Sequence, residues 1–135
     1  MSGIYTSFKE YAADATVDLD THSFKVALMD NTHTFTATNS TWSDISANEI
    51  TGTGYSAGGA ALATVTWAAD GTAVKWDAAN TAWTTASFTA YHAVIYDDTH
   101  ASDALVCSIN FGGAQTVSAG TFTIQWNTDG ILRVT

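Results

Sequence analysis

From about Thr16 onward, short runs rich in Val, Ile, Thr, Phe, Tyr and Trp are separated by clusters of Gly, Asn and Asp, the grammar of strands joined by turns. Residues 23–29 alternate cleanly. Ser23, Lys25 and Ala27 fall on one face and Phe24, Val26 and Leu28 on the other, which predicts a half-buried strand ending at the turn Asp30-Asn31. Residues 61–68 and 72–77 flank Asp70-Gly71, a dipeptide that tolerates the positive φ angles of a tight hairpin. Further strands are expected at 87–89, 91–96, 105–110, 121–126 and 131–134, with Asp129-Gly130 as a tight turn between the last two. Eight or more short strands predict an all-β fold, an antiparallel β-sandwich that is jelly-roll-like.

Two stretches read as helical. Residues 5–13 place Tyr5, Phe8 and Ala12 on one face, and a short turn is expected at 43–48, capped by Ser43. The Gly-rich run 51–59 is expected to cross the end of the sheet as a partly mobile connection. No composition shift, linker or repeat divides the chain, so residues 1–135 are read as one β-sandwich domain, with 1–15 as a helical or arm segment.

Composition narrows the functional classes. Apolar residues make up 46% of the chain and charged residues 13%, enough to build a core without disulfides. The formal charge of −9 repels a nucleic-acid backbone and an anionic membrane surface, so neither is an expected partner. No apolar run approaches the roughly 18 residues of a spanning helix, and the start of the chain carries no secretory signal, so synthesis in a cytoplasm is expected. The single cysteine, Cys107, lies in an apolar run and reads as a buried small hydrophobe.

Candidate chemistry is sparse. The run 51–59 lacks the lysine and the following helix of a phosphate loop. His22, His33, His92 and His100 have neither metalloprotease spacing nor cysteine partners, and His92 alternates onto the face of Val94 and Tyr96 as an interior or interface histidine. Asp18 with Asp20, and Asp97 with Asp98, offer calcium-type oxygens or a glycosidase-like carboxylate pair, without the spacing of an EF-hand. Trp42, Trp67, Trp76, Trp83 and Trp126 fit core packing, a subunit interface or a sugar platform. With no nucleophile elbow, the chain is not expected to be an enzyme, and no catalytic, cofactor-binding or metal residue is assigned.

Several segments taken together carry a resemblance over most of the chain. They are 17–20 (Val-Asp-Leu-Asp), 25–28 (Lys-Val-Ala-Leu), 42–49 (Trp-Ser-Asp-Ile-Ser-Ala-Asn-Glu), 51–55 with 57–59, 93–99 (Ala-Val-Ile-Tyr-Asp-Asp-Thr), 111–113 (Phe-Gly-Gly) and 120–127. In order and spacing they resemble a family of small virion structural proteins of tailed phages. The resemblance implies a capsid decoration (cement) protein located in the virion, acting as a homo-oligomer, trimer or dimer, on the phage major capsid protein. A tail- or fibre-associated carbohydrate-binding module is the alternative, drawing on the same scaffold and its tryptophans.

Overall fold

A computed structural model describes residues 1–135. The chain is all-β: two antiparallel sheets and one α-helix. Strands β1 (Gly3–Ile4), β2 (Phe24–Met29), β3 (Ala60–Ala61), β6 (Thr81–Asp97) and β7 (Ala104–Ile124) form a sheet in the order β1-β7-β6-β2-β3. Strands β4 (Thr66–Asp70), β5 (Ala73–Asp77) and β8 (Leu132–Val134) form a second sheet in the order β4-β5-β8. No helix is long and apolar enough to cross a membrane.

The two sheets meet through Trp76 of β5. Its ring is fully buried and stands edge-on to Phe24 of β2, with centroids 4.9 Å apart, while its indole N–H donates to the Leu19 carbonyl at 3.0 Å. Phe24, Val26, Leu28, Ala93, Ile95 and Val106 belong to this core of 18 buried residues, joined by Phe8 from the helix α1 (Thr6–Ala13). A second, smaller core holds Tyr5, Ala27, Met29, Ile45, Val94, Tyr96 and Leu105. Residues 26–29 are buried without alternation because both faces of β2 are covered, so Ala27, expected on a polar face, is fully buried.

Several elements differ from the sequence expectation in ways that have local causes. The stretches 87–89 and 91–96 belong to one strand, β6, and 105–110 and 121–124 to another, β7, with Gln125 and Trp126 beyond its end. Register shifts along this ribbon insert extra residues, with Thr85, Gly112, Gly113 and Ala119 at positive φ, and each shift breaks the period-2 pattern without ending the strand. Residues 61–68 are split: Ala60–Ala61 pair with β2, and only from Thr66 does β4 begin. The hairpin at Asp70-Gly71 forms with Asp70 opposite Ala73, so Gly71, at φ +64°, and Thr72 make the turn. Asp129-Gly130 does turn the chain, with the Gly130 amide donating to Asn127 at 2.9 Å, but β7 and β8 do not pair; the turn carries the chain from one sheet to the other.

The helical segments are close to expectation. Tyr5 is the residue before α1 rather than part of it and is fully buried, and Ala12 is exposed, so α1 packs through Phe8. The N-terminus is no free arm, since Gly3 and Ile4 pair with Ser108 and Cys107. The 43–48 turn is two short 3-10 segments, Trp42–Asp44 and Ser46–Asn48. The first is capped by Thr41 rather than Ser43, in a capping box whose N3 residue, Asp44, accepts the amides of Ser40 and Thr41 at 2.9 and 3.0 Å.

Candidate functional site

The histidines are held by the fold in two pairs of unlike character. His22 Nδ1 lies 2.6 Å from Oδ2 of Asp97, whose side chain is fully buried, and Asp97 Oδ1 accepts the amides of Thr99 and His100 at 2.9 and 3.2 Å. The Asp18 amide points to the same ring nitrogen at 3.4 Å, but a nitrogen that donates its proton to a carboxylate cannot also accept, and the shorter contact decides. The arrangement has the form of an aspartate-oriented imidazole, yet His22 hydrogen-bonds no hydroxyl or thiol that it could activate. Asp98, the neighbour of Asp97, turns outward to Lys25 at 3.5 Å, so the two carboxylates do not face a common space. Asp18 accepts the amides of Asp20 and Thr21, a turn-forming role that, with the Thr21 side chain, holds its carboxyl below the usual range.

His33 and His92 meet edge to face, centroids 4.9 Å apart, in a buried polar cluster above the smaller core. His33 Nε2 is 3.0 Å from Ser108 Oγ. Nδ1 of both rings and the Tyr5 hydroxyl, which lies beside Ser108, have no partner of good geometry. Burial, and then the neighbouring His92, push His33 down to about 4; burial also lowers His92, and raises Tyr5 to about 12. Both rings are therefore neutral at pH 7. Cys107 is buried and its thiol is pushed up to about 12 by desolvation, the signature of an inert sulfur. No three His, Cys, Asp or Glu side chains lie close enough to hold a metal ion.

The Gly-rich segment has its own occupant. Glu49 accepts the Gly58 amide at 2.8 Å and the Tyr55 hydroxyl at 2.7 Å, so a carboxylate of the chain sits where a phosphate would be cradled. Tyr55 in turn accepts the Leu28 amide at 2.9 Å, and Tyr96 donates to the Gly58 carbonyl at 2.6 Å. Gly59, at φ +83°, lies flat against Val26, whose carbonyl leaves no room for a Cβ. The segment is thus pinned over the sheet rather than left as a loose connection.

Trp76 and Trp83 are interior, and Trp42 stacks on Tyr96 at 4.8 Å. Trp67 is the direct cross-strand partner of Trp76. Trp126, half-buried like Trp42 and Trp67, donates its indole N–H to the Ala79 carbonyl at 3.1 Å and lines a groove of about 640 Å³ along the open side of β7. Ile109, Phe111, Phe122, Ile124 and Ile131 supply its apolar wall; Gln115, Thr121, Thr123, Gln125 and Asn127 supply neutral polar groups.

The groove contains no chemical motif. The signal that marks it is an absence of charge. No Asp, Glu, Lys or Arg occurs in 78–96 or in 104–128, so the β6–β7 ribbon is uncharged apart from the buried Asp97 at the end of β6, in a chain of net charge −9. Comparison with protein-family models, with curated proteins and with solved structures finds no match.

Proposed function

We propose that the chain is a structural protein of a phage particle: a capsid decoration protein that binds the major capsid protein as a homo-oligomer and stabilises the assembled shell. Its place is the virion, after synthesis in the host cytoplasm. The observation that carries this reading is the segregation of charge, which gives the molecule an acidic, well-solvated exterior and one broad neutral ribbon bordered by an apolar groove. Such a surface supplies contact area. No catalytic group, cofactor or metal enters the mechanism.

The resemblance of the segments quoted above adds support, because the residues that carry it are those that fix the scaffold. Glu49 and Tyr55 pin the glycine run, Asp97 anchors the end of β6, and Phe122 packs against Phe88 and Trp83. A rigid body of this kind stabilises a shell by mass action: contacts made only in the assembled state lower the free energy of that state. The test is to mix purified protein with particles that lack it. Saturable co-sedimentation with a raised disruption temperature is the expected result; the loss of both overturns the reading.

A second reading has one specific observation in its favour. A half-buried tryptophan among Gln115, Gln125, Asn127 and threonine hydroxyls, with no charged residue in the groove lining, has the composition of a platform for a neutral sugar. A carbohydrate-binding tail or fibre module predicts saccharide-dependent quenching of Trp126 fluorescence that disappears in Trp126→Phe.

A further inference from the structure

We infer that two copies of this chain join edge to edge through residues 120–126, antiparallel about a twofold axis at Thr123, making one sheet continuous across the dimer. This rests on the oligomeric part of the proposal above and names the surface that forms it.

The two edges of the β6–β7 ribbon are treated differently. On the β6 side, β2 covers Met29 to Phe24 opposite His92 to Asp97, Thr53 bridges to Ser87, and Gly52 and Gly54 press against the strand. A Cβ at either glycine would come within 2.8 Å of Ser87 O or 2.9 Å of the Ala86 Cα. On the β7 side, β1 covers only Cys107 and Ser108, and no strand lies beyond it further along. The open edge is not uniform. Register shifts between Ala90/His92 and between Ala86/Phe88 bulge β7 at 111–114 and at 118–119, and such bulges obstruct pairing. In the run that follows, Ile124, Thr123 and Phe122 stand opposite Thr81, Ala82 and Trp83, and Gln125 and Trp126 continue the chain past the end of β7. The run carries no charge or proline and no extra residue of its own, the bulge opposite it lying on β6 at Thr84–Thr85, so the devices that keep solvent-exposed edges apart are missing from its outer side.

Charge selects the occupant. Two copies at −9 each repel at every surface except where the charge is missing, and the nearest charged residues in the chain on either side of this run are Asp103 and Asp129. A basic partner would be drawn to the acidic exterior instead. A second copy fits the neutral edge, and an antiparallel pair of identical strands is self-complementary under a twofold. Matching apolar to apolar faces requires that paired positions sum to an even number, which the axis at Thr123 satisfies. Phe122 then opposes Ile124 of the other copy, Thr121 opposes Gln125, and the two Thr123 residues face each other. The paired run is about 23 Å long. With the flanking groove filled from both sides, the contact reaches the order of 1,000 Å², where specific interfaces begin.

The experiment compares the wild-type protein, Thr123→Asp and Thr123→Cys by sedimentation across a dilution series, with circular dichroism as the fold control. Thr123 is exposed, so neither change disturbs the core. The wild type should be a dimer and Thr123→Asp, which sets two carboxylates face to face, a folded monomer. Directly opposed residues of an antiparallel pair have Cα atoms about 4.5–5.5 Å apart, within disulfide range, so Thr123→Cys should oxidise to a covalent dimer while buried Cys107 stays reduced. A monomeric wild type, a folded Thr123→Asp that still dimerises, or a dimeric Thr123→Cys that does not cross-link overturns the inference. If Thr123→Asp fails to fold, the cross-link alone decides. A dimer that ignores particles leaves this interface standing and sinks the shell reading; particle binding by a monomeric wild type does the reverse.

Discussion

His33 has the most to lose from a change of pH. Its neutral ring is buried against His92 and Ser108, its pKa is lowered to about 4, and in the unfolded chain it returns to about 6.5. The groups that bear on it are His92 and the N-terminal ammonium, which resist protonation, and Asp30, which favours it. A base whose pKa is depressed by folding leaves the unfolded state holding more protons between the two values. Stability is therefore intact above pH 6.5 and declines as the pH falls towards 4, by at most about 3 kcal/mol from this residue. His92 shifts the same way. The carboxylates of Asp14, Asp18, Asp44 and Asp70, all lowered by hydrogen bonds, begin to lose their contribution only below their ordinary value of 3.8, so the two windows separate. Urea denaturation measured from pH 7 to 4 should show this decline, and His33→Gln should flatten it; a flat wild-type curve would show that His33 titrates normally. The interior position of His92 was legible in the alternation of 91–96. His33 was not, because 30–36 has no period and its hydrogen-bond partner lies 75 residues away.

The elements were legible where a strand keeps one face to the core and illegible where the period breaks. The hairpin of β4 and β5 follows from alternating side chains about Asp70-Gly71, and α1 from a short run around Phe8. The ribbon of β6 and β7 is different. Thr81, Trp83, Ala86, Phe88 and Ala90 are all buried along one strand, and the extra residue at Thr85 shifts their spacing, so the run 81–86 did not read as strand. The groove along β7 was unreadable for the same reason: its wall comes from Ile109, Phe111, Phe122 and Ile131, which only the curvature of the strand and the crossing at Gly130 bring together. The attachment of the small sheet rests on Trp76, fully enclosed and hydrogen-bonded to Leu19. Trp76→Ala should cost about 3–5 kcal/mol in urea denaturation, as for other buried aromatic truncations. Trp126→Ala, at a half-exposed rim, should cost clearly less; equal losses would mean that the sheets are held together elsewhere.

At the scale of the whole molecule, thirteen acids meet only four bases, and the ion pairs are few: Arg133 with Asp70 at 2.7 Å, Lys25 with Asp98 at 3.5 Å, and Lys75 with Asp77 at 4.0 Å. Exposed pairs of this kind contribute little. Net repulsion should therefore outweigh local attraction. Raising ionic strength from about 10 mM to about 150 mM shortens the screening length from roughly 30 Å to roughly 8 Å and should raise the melting temperature by a few degrees; a fall would mean that the ion pairs dominate. The acidic character was plain in the composition, whereas the neutral ribbon emerges only when 78–96 and 104–128 are seen to pair with one another. That pairing also governs how the chain comes to be folded. Phe24 waits for Asp97 and Gly3 for Ser108, so neither β1 nor β2 can close its ladder until the chain has been made as far as β6 and β7, and pairings so distant in sequence fold slowly. The sticky run 120–126 is translated after β6, its intramolecular partner. Vectorial synthesis thus delivers the most aggregation-prone strand to a template that is already waiting, which keeps short the interval in which it is exposed on both sides.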